Sequence, residues 1–323
     1  MPNVANAFLF AWRYARYVPE PILRWLTNFA ADVSWWRHGK GVRRLQSNYA
    51  KIRPDLSTRD IRLLAKAGMR SYARYYCQAF TLPAAKSSQI NARVRAIGLT
   101  NVTESLKPTQ GAIVTIGHFG NWDLAGAWVA ANVGQVLTVA EKLNPPELYQ
   151  EFLSFRKGIG LEVLGLGDAG VFSQLAAALE SGPNIIALAA DRDLTTRGVE
   201  VTLCGHRARV AAGPAALGLE TGAPIIPTLI WWERLSKQQA RRAGTPWGIA
   251  LEFCAPIYAP QEYLPHEKQT IIAQLSQEWV NVIGGFLKEH TEDWHMLQKV
   301  FVSDLDPDRY AETVAAAANS NGD

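Results

Sequence analysis

The chain has 323 residues, 48% of them hydrophobic and 19% charged, which excludes a disordered protein and allows one large α/β domain or two smaller ones. Its net charge of +4 and pI near 8.9 suit an anionic lipid or a phosphorylated substrate, and equally an ordinary solvated surface. Cys77, Cys204 and Cys254 form no C-x-x-C pair. We therefore predict no disulfide scaffold or zinc site, a reducing compartment, and three thiols that act as small buried hydrophobes.

The first forty residues predict two amphipathic helices separated at "VPEP", with Arg13 and Arg16 between the apolar positions. Such helices either cap the core or lie in a membrane interface, with Trp and Arg side chains at headgroup level. The apolar positions are Phe8, Trp12, Ala15, Ile22, Trp25, Leu26 and Phe29, followed by Trp35 and Trp36.

No stretch of the sequence predicts a membrane-spanning helix. The longest run without a charge lies between Asp123 and Glu141, and Asn132, Gly134 and Gln135 interrupt it. A spanning helix needs about 20 mostly apolar residues. The arginines near the start follow the first apolar residues instead of preceding them, which is not the pattern of a signal peptide. We therefore expect a cytoplasmic chain.

Beyond residue 40, helical and strand-like segments alternate. Ser57 is the predicted N-cap of a helix that runs towards Pro83. The alternation predicts an α/β fold, a single domain with a mixed, largely parallel central sheet flanked by helices. The predicted regions are membrane-association helices over 1–40, the α/β domain over 41–305 and a partly flexible tail over 306–323. The predicted strands cover 112–116, 136–140, 185–190, 199–203, 225–231 and 248–253, and the predicted helices among them cover 124–133, 146–157, 170–181, 211–221 and 268–289.

The stretch "AIVTIGHFGNWD" carries a candidate catalytic pair in the break between a buried strand and a helix. His118 and Asp123 are five residues apart, which on a continuous helix separates them by about 140° and keeps them apart. Gly117, Gly120 and Asn121 permit a sharp turn, so that a histidine at the strand end and an aspartate in the first helical turn can meet. The pair is then either a general base with its orienting carboxylate, or a helix N-terminal acid beside an unrelated histidine.

Signatures of other catalytic classes are missing from the sequence. It contains no H-E-x-x-H, no G-x-x-x-x-G-K-[ST] and no G-x-S-x-G. The glycine-rich "GLGDAG" at 165–170 does not follow the first strand, where a dinucleotide-binding fold requires it. No serine or cysteine has an adjacent base, so a covalent acyl-enzyme is not indicated.

With its H-x-x-x-x-D spacing, "GHFGNWD" resembles the bacterial lipid A biosynthesis acyltransferases, and the resemblance covers roughly residues 40–300. It continues in "TVAEKLNPPELYQEFLSFRKGIGLEVL", in "ADRDLTTRGVEVTLCGHRARVAAGPAALGLETGAPIIPTLIWWE" and in "EDWHMLQ". These segments are most similar to the actinobacterial branch of the family, the phosphatidylinositol mannoside acyltransferases.

The resemblance implies an enzyme in which His118 deprotonates a sugar hydroxyl that attacks the thioester of an acyl donor. Asp123 would orient the histidine, and backbone or cationic donors would stabilise the oxyanion. In "DRD", the resemblance places an acid beside the catalytic histidine; Asp191 leaves the strand first and is preferred to Asp193, with Glu200 as a rival. No metal or cofactor is required, since acyl-CoA enters as a co-substrate.

Further residues come from the resemblance as binding candidates, each with an ordinary structural alternative such as a solvated ion pair or a core position. Glu141 and Arg156 are expected near the active site, Phe119 and Trp122 along the acyl or sugar pocket, and His295 in a structural role. The residues expected to meet lipid or coenzyme phosphates are Arg192, Arg197, Arg207 and Arg209.

The expected reaction moves a palmitoyl-type chain from acyl-CoA to a mannose of phosphatidylinositol mono- or dimannoside. The expected partners are therefore acyl-CoA, a mannosylated phosphatidylinositol and a membrane surface, with no nucleic acid. The expected location is peripheral, at the cytoplasmic face of the plasma membrane. Two alternatives stay open: late acylation of a lipid A-type glycolipid, and a non-catalytic lipid-binding protein on the same fold.

Overall fold

The computed structural model describes residues 12, 14–107, 109–193, 198–307 and 310. Its strands are β1 (Val94–Ile97), β2 (Ala112–Ile116), β3 (Val136–Ala140), β4 (Leu161–Gly165), β5 (Ile185–Ala189), β6 (Val199–Leu203), β7 (His206–Val210), β8 (Ile225–Arg234) and β9 (Trp247–Phe253). Its α-helices are α1 (Glu20–Arg37), α2 (Lys40–Ile52), α3 (Thr58–Ala79), α4 (Ser87–Arg93), α5 (Leu99–Thr103), α6 (Trp122–Asn132), α7 (Pro146–Gly158), α8 (Val171–Ser181), α9 (Gly213–Thr221), α10 (Lys237–Ala243) and α11 (Lys268–Glu289).

Seven strands form one sheet in the order β1-β9-β8-β2-β5-β3-β4, while β6 and β7 form a separate antiparallel hairpin. Every neighbouring pair in the large sheet is parallel except β8 and β9. The predicted fold class, a single α/β domain with a mixed and largely parallel sheet, is confirmed. Strand β2 lies at the centre between β8 and β5, so the residues that follow it lie at the middle of the sheet's carboxyl edge.

Helices cover both faces of the sheet, as the central strand shows. Because side chains alternate along a strand, Ala112 and Val114 of β2 pack into one core cluster while Ile113 packs into another. The first cluster includes Leu124 of α6, and the second includes Leu175 of α8. Burial on both faces explains why four of the five residues of β2 are apolar, with Thr115 as the exception.

The six predicted strands are all present, and three further strands, β1, β4 and β7, were missed. The predicted N-cap at Ser57 is confirmed, since its side chain accepts a hydrogen bond from the Asp60 amide at the start of α3. Of the cysteines, Cys77 is buried as expected, while Cys204 and Cys254 are only half-buried; all three are free thiols.

Helix α1 packs against α3 and leaves an apolar surface uncovered. Leu23 and Ala31 are buried, whereas the other side of the helix, the outer α1 face, exposes Ile22, Trp25, Leu26, Phe29 and Trp36. Within the described ranges, no helix is both long and apolar enough to cross a membrane. The predicted positions Phe8 and Arg13 and the segment 311–323 lie outside the described residues.

Candidate active site

His118 and Asp191 meet at the carboxyl edge of the sheet because their strands are neighbours in register. The pairing of β2 with β5 aligns Ile116 with Ala189, and His118 and Asp191 each follow two residues later. The His118 Nδ1 atom lies 2.6 Å from Asp191 Oδ1. Asp191, the acid that the family resemblance placed beside the histidine in "DRD", is therefore in contact with it.

Asp191 is held by three donors. Its Oδ2 atom accepts the backbone N–H of His118 at 2.9 Å and the indole N–H of Trp294 at 2.8 Å, while Oδ1 faces the imidazole. Burial alone would raise the pKa of Asp191, but the charge of His118 and these hydrogen bonds outweigh it and hold the pKa below its usual value. An ionised carboxylate accepts a hydrogen bond from Nδ1–H, which keeps the ring proton on Nδ1 and leaves the lone pair of the ring on Nε2.

The His118 ring is oriented to act as a base. Its side chain is 34% exposed and lines a large cavity, in contrast to Asp191 at 2%. Within the described part of the chain, Nε2 has no hydrogen-bond partner. A histidine with Nδ1 fixed by a buried carboxylate and Nε2 open to a cavity can remove a proton from a bound hydroxyl.

The expectation that Asp123 orients His118 is wrong. Asn121 caps α6 by accepting the Leu124 amide, and this start of the helix directs Asp123 away from His118. Asp123 Oδ2 accepts the Tyr75 hydroxyl at 2.6 Å, and Oδ1 accepts Arg156 Nε at 3.0 Å. Asp123 thus connects α6 to α3 and α7 and supports the cavity wall.

Arg156 is almost completely buried at this junction. Burial lowers the pKa of its guanidinium, but the charge of Asp123 and its hydrogen bond to Arg156 outweigh that effect and raise it. Its side chain is 15% exposed and that of Asp123 1%. The expected position of Arg156 near the active site is observed, with the carboxylate of Asp123 as its partner.

The segment 293–298, "DWHMLQ", supports the loop that carries His118. The Asp293 carbonyl accepts the Gly120 amide at 3.0 Å, and the His118 carbonyl accepts the His295 amide at 2.7 Å. The His295 ring is buried and bonded to Ser71 at 2.8 Å. Burial, together with the charge of Arg74, lowers the pKa of His295 well below its usual value, so this ring is neutral.

The cavity beside His118, the substrate cavity, has a volume of about 1520 Å³. Aromatic side chains of α3 and α7 form much of its wall, and the carboxyl ends of β2, β3 and β5 close one side. The predicted residues that line it are His118, Trp122, Asp123, Glu141, Arg156, Arg192 and Asp193, joined by Tyr72, Tyr75, Tyr76, Leu148, Phe152, Leu188 and His295.

Two predicted pocket residues differ in position. Trp122 lines the cavity and stacks on Tyr75 with ring centroids 4.0 Å apart. Phe119 does not line the cavity: it is fully buried and packs on Phe286 at 5.0 Å, because the turn at the strand end directs its ring into the core. The pocket role expected for Phe119 is therefore wrong, and its core alternative holds.

Of four further charged candidates, three line the cavity and one does not. Glu141 and Arg192 line the cavity, with Arg192 Nη2 3.6 Å from Glu141 Oε2. Asp193 lines it too, but Arg209 is buried outside the lining and is bonded to Asp193 Oδ2 at 3.1 Å and to the Gly198 carbonyl. The substrate-binding role expected for Arg209 is thus wrong: its guanidinium is held by protein acceptors.

The alternative prediction, that Glu200 is the acid beside His118, is also wrong. Glu200 lies on the β6–β7 hairpin, where it bonds Arg207 and the Tyr310 hydroxyl and does not line the cavity. Arg207 is bound to this carboxylate at the surface. Arg197 lies outside the described residues. Among the described residues, no group of three or more His, Cys, Asp or Glu side chains is arranged to hold a metal ion.

Sequence reasoning missed Tyr75, Ser71 and Trp294 as parts of this centre. Their partners lie 48, 224 and 103 residues away along the chain. For Trp294 the sequence offers one indication, its position inside "DWHMLQ", a segment that the family resemblance includes as a whole.

Comparison with known proteins identifies the family of this chain. The family model described as "Bacterial lipid A biosynthesis acyltransferase" matches residues 2–303. A phosphatidylinositol mannoside acyltransferase of Mycolicibacterium smegmatis is 33% identical over 93% of this chain and 92% of its own. One of Mycobacterium tuberculosis H37Rv is 32% identical over 95% and 91%.

Among solved structures, the 1-acyl-sn-glycerophosphate acyltransferase of Thermotoga maritima matches at 14% identity and a TM-score of 0.34, covering 80% of this chain and 97% of its own. The family model, by contrast, spans nearly the whole chain, and the mycobacterial relatives exceed 30% identity over more than nine-tenths of it. The chain is therefore an acyltransferase and belongs to the bacterial lipid A biosynthesis acyltransferase family.

Proposed function

We propose that this acyltransferase moves a long-chain, palmitoyl-type group from acyl-CoA to a mannose hydroxyl of phosphatidylinositol mono- or dimannoside. The observation that carries the proposal is the His118 ring, with Nδ1 on Asp191 and Nε2 open to the substrate cavity. The names of the two mycobacterial relatives support the choice of acceptor.

The proposed step is a direct acyl transfer. Nε2 of His118 takes the proton of the mannose hydroxyl while the hydroxyl oxygen attacks the thioester carbonyl carbon. The carbonyl oxygen becomes an oxyanion, the C–S bond then breaks, and the coenzyme A sulfur leaves with the proton held by His118. Asp191 keeps the ring in the required tautomer and stabilises the imidazolium. The products are the acylated glycolipid and free coenzyme A, with no metal or covalent enzyme intermediate.

The size and lining of the substrate cavity support a lipid reaction. Its volume of about 1520 Å³ exceeds the roughly 300–1,000 Å³ of ordinary small-molecule pockets. Leu148, Phe152 and Leu188 provide apolar wall for an acyl chain. Arg192 and Glu141 contribute charged groups to the cavity lining. We assign Arg192 to a phosphate of the donor or acceptor and Glu141 to a sugar hydroxyl.

We also propose that the protein binds peripherally to the cytoplasmic face of the plasma membrane. The outer α1 face exposes Trp25 at 64%, Phe29 at 58% and Trp36 at 73%. Aromatic side chains on a surface helix are well suited to the headgroup region of a bilayer. Such binding would bring the enzyme to its lipid acceptor.

The function is tested by incubating the purified chain with palmitoyl-CoA and the phosphatidylinositol dimannoside and following thiol release. We expect turnover with the wild type and a loss of at least about a hundredfold in His118→Ala, the usual contribution of a general base. His266→Ala, which removes an exposed histidine outside the cavity, is the matched control and should retain activity.

Full activity of His118→Ala would overturn the mechanism. Offering a lipid A precursor beside the dimannoside tests the acceptor, because turnover of the precursor alone would contradict a mannoside substrate. Absence of turnover on both, with lipid binding retained, would favour a non-catalytic protein.

A further inference from the structure

A second, smaller cavity lies beside α3, separate from the substrate cavity. It has a volume of about 360 Å³ and shares no lining residue with the larger cavity. Three cations of α3, Lys66, Arg70 and Arg74, line it opposite Trp232 and Trp247. We refer to it as the α3 pocket. None of its residues takes part in the acyl transfer described above.

Arg74 is the central cation of this pocket. Its guanidinium carbon lies 3.6 Å from the ring centre of Trp247 and 5.2 Å from that of Trp232. Within the described part of the chain it has neither a hydrogen bond nor an ion pair. Burial lowers the pKa of Arg74 to about 10, so the side chain still carries its charge at neutral pH. A largely buried guanidinium normally has an anionic or hydrogen-bonding partner.

Trp232 supplies an aromatic wall of the pocket. Its ring lies under the Arg74 guanidinium, and its indole Nε1 is buried away from solvent. A guanidinium can only donate hydrogen bonds. Arg74 therefore requires acceptors in the pocket.

Two of the nearby carboxylates, Asp293 and Asp32, are already engaged. Asp293 accepts the Ser71 hydroxyl at 2.7 Å and the Trp232 backbone N–H at 2.9 Å. Asp32 of α1 accepts two hydrogen bonds from Arg70. Glu292 also lines the pocket and reduces its positive charge, but it forms no ion pair with Arg74 among the described residues. The cation is thus left facing the pocket.

We propose that the α3 pocket binds a phosphate group, held by the Arg74 guanidinium, with Lys66 at the rim, where it also pairs with Asp32 at 3.8 Å. Phosphate oxygens accept hydrogen bonds from a guanidinium, and the pocket volume is large enough to hold the group. The group can belong to a phospholipid headgroup or to a soluble phosphate. The position favours the headgroup, because α3 packs on α1, whose outer face is the exposed apolar surface. The proposal does not depend on the acceptor assigned above.

The pocket also adjoins the segment that supports His118. Ser71 bonds both Asp293 of the pocket and the His295 ring, and the His295 amide bonds the His118 carbonyl. A ligand in the α3 pocket would therefore contact the same structural unit as the catalytic loop.

The test measures binding to the full-length protein without acyl donor, so failure of the acyl-transfer proposal cannot affect it. Inorganic phosphate is titrated calorimetrically at matched ionic strength against chloride. Vesicles of phosphatidylcholine with and without phosphatidylglycerol form the second arm. We expect Arg74→Gln to weaken binding about tenfold or more, and Lys66→Gln about threefold or more. Arg59→Gln, an exposed arginine of α3 outside the pocket, is the control and should bind as the wild type does.

The two arms identify the source of the phosphate. If Arg74→Gln and Lys66→Gln weaken binding only to the phosphatidylglycerol vesicles, the ligand is a lipid headgroup. If they also weaken binding of inorganic phosphate, the site accepts soluble phosphate esters. The site is overturned if the wild type prefers neither probe, or if Arg74→Gln and Lys66→Gln bind as Arg59→Gln does. Should Arg74→Gln fail to fold, Lys66→Gln decides the question, because its side chain is 32% exposed and not part of the core.

Discussion

The partner of His118 determines where its proton resides. Replacement of Asp191 by Asn would direct the amide oxygen to the two N–H donors, the His118 backbone and Trp294, and the amide NH₂ to Nδ1. The ring would then carry its proton on Nε2 and could not act as a base. We expect kcat of Asp191→Asn to fall about 10²–10⁴-fold with the fold unchanged.

Steady-state kinetics with palmitoyl-CoA, accompanied by circular dichroism, check this expectation. Asp55→Asn, which changes an exposed carboxylate outside the cavity, serves as the control. A kcat for Asp191→Asn within a few-fold of the wild-type value would show that this carboxylate does not set the tautomer.

Asp123, in contrast, is expected to affect stability. It is 1% exposed, and its removal would leave the buried Arg156 charge without its carboxylate. Breaking a buried ion pair by removing one member costs about 3–5 kcal/mol, so Asp123→Asn should lower the free energy of unfolding by about that amount.

Urea denaturation measures this loss. The double variant Asp123→Asn with Arg156→Gln should recover part of the stability, because it removes the unpaired charge as well. Asp55→Asn breaks an exposed pair with Arg53 and should change stability little. If Asp123→Asn proved as stable as the wild type, Asp123 would not support the cavity wall as inferred.

Asp293 gives stability a specific dependence on pH. Burial raises its pKa to about 6, against the opposing hydrogen bonds from Trp232 and Ser71; Glu292 raises it further and Arg74 lowers it. A folded pKa above the unfolded value of about 3.9 gives stability that is complete below pH 4 and is lost as pH rises through 6. The stability of the wild type relative to Asp293→Asn should therefore fall by about 3 kcal/mol between pH 4 and pH 7.

Urea denaturation of both proteins across this pH range gives the difference, in which the titrations of other groups largely cancel. Parallel stability curves for the two proteins would rule out a raised pKa at Asp293.

At the scale of elements, the break between β2 and α6 depends on Gly120 for its left-handed backbone conformation. Gly120 has a φ of +61°, and a Cβ atom there would lie 2.6 Å from the Ile230 carbonyl oxygen. A side chain would meet both the left-handed backbone penalty and a backbone clash. We expect Gly120→Ala to cost about 2 kcal/mol or more and to lower kcat, since the turn also carries His118.

Thermal denaturation and kinetics of Gly120→Ala should be compared with Gly285→Ala. Gly285 is exposed within α11, and a Cβ there meets nothing within 4 Å. Alanine at that position should stabilise the helix by up to about 1 kcal/mol. Equal stability of the two variants would mean that the turn tolerates a side chain.

The elements that sequence patterns predicted and those that they missed differ in chemistry. β2 and β5 are almost entirely apolar and contain no charged residue, as is typical of strands buried on both faces. The missed strands are "VRAI", "LEVLG" and "HRARV", in which charged residues interrupt short segments. The strand order also departs from chain order, with β5 inserted between β2 and β3.

This insertion explains why the site was predicted only in part. His118 was found because it follows a recognisable strand, and its sequence neighbour Asp123 was the natural partner by spacing. The observed hydrogen bond joins residues 73 positions apart, and it exists only because β5 lies beside β2. Sequence spacing indicates contacts only between residues that are close in the chain. Which strands become neighbours depends on the order of all strands in the sheet, and local spacing does not reveal that order. The resemblance to a family, not the geometry, had indicated Asp191.

At the scale of the whole molecule, aromatic packing connects the segment before α1 to the substrate cavity. Trp12, just before α1, packs on Phe152 of α7 with ring centroids 5.0 Å apart, and Phe152 lines the cavity. Tyr76 of α3 lines the cavity and packs on Phe80, which is also in contact with Trp12. The chain before α1 therefore packs against one cavity wall. Under the proposed membrane docking through α1, this packing would hold the cavity close to the bilayer that contains the lipid acceptor.

The double variant Trp25→Ser with Phe29→Ser tests this arrangement. Both side chains are exposed and stack on each other with centroids 5.8 Å apart, so their loss should leave the fold intact. Each large apolar side chain buried in a bilayer contributes about 1.5–3 kcal/mol, and vesicle affinity should fall at least about tenfold. Vesicle co-sedimentation measures this loss.

The matched control is Tyr258→Ser with Leu264→Ser, which removes side chains of similar exposure, 61% and 57%, away from α1. If membrane docking delivers the acceptor, the α1 double variant should raise KM for a vesicle-embedded acceptor and leave KM for palmitoyl-CoA in solution unchanged. The control pair should alter neither constant. Equal vesicle binding by the two double variants would place the membrane contact on another surface, and a raised KM for the donor alone would mean that α1 shapes the cavity instead of docking the enzyme.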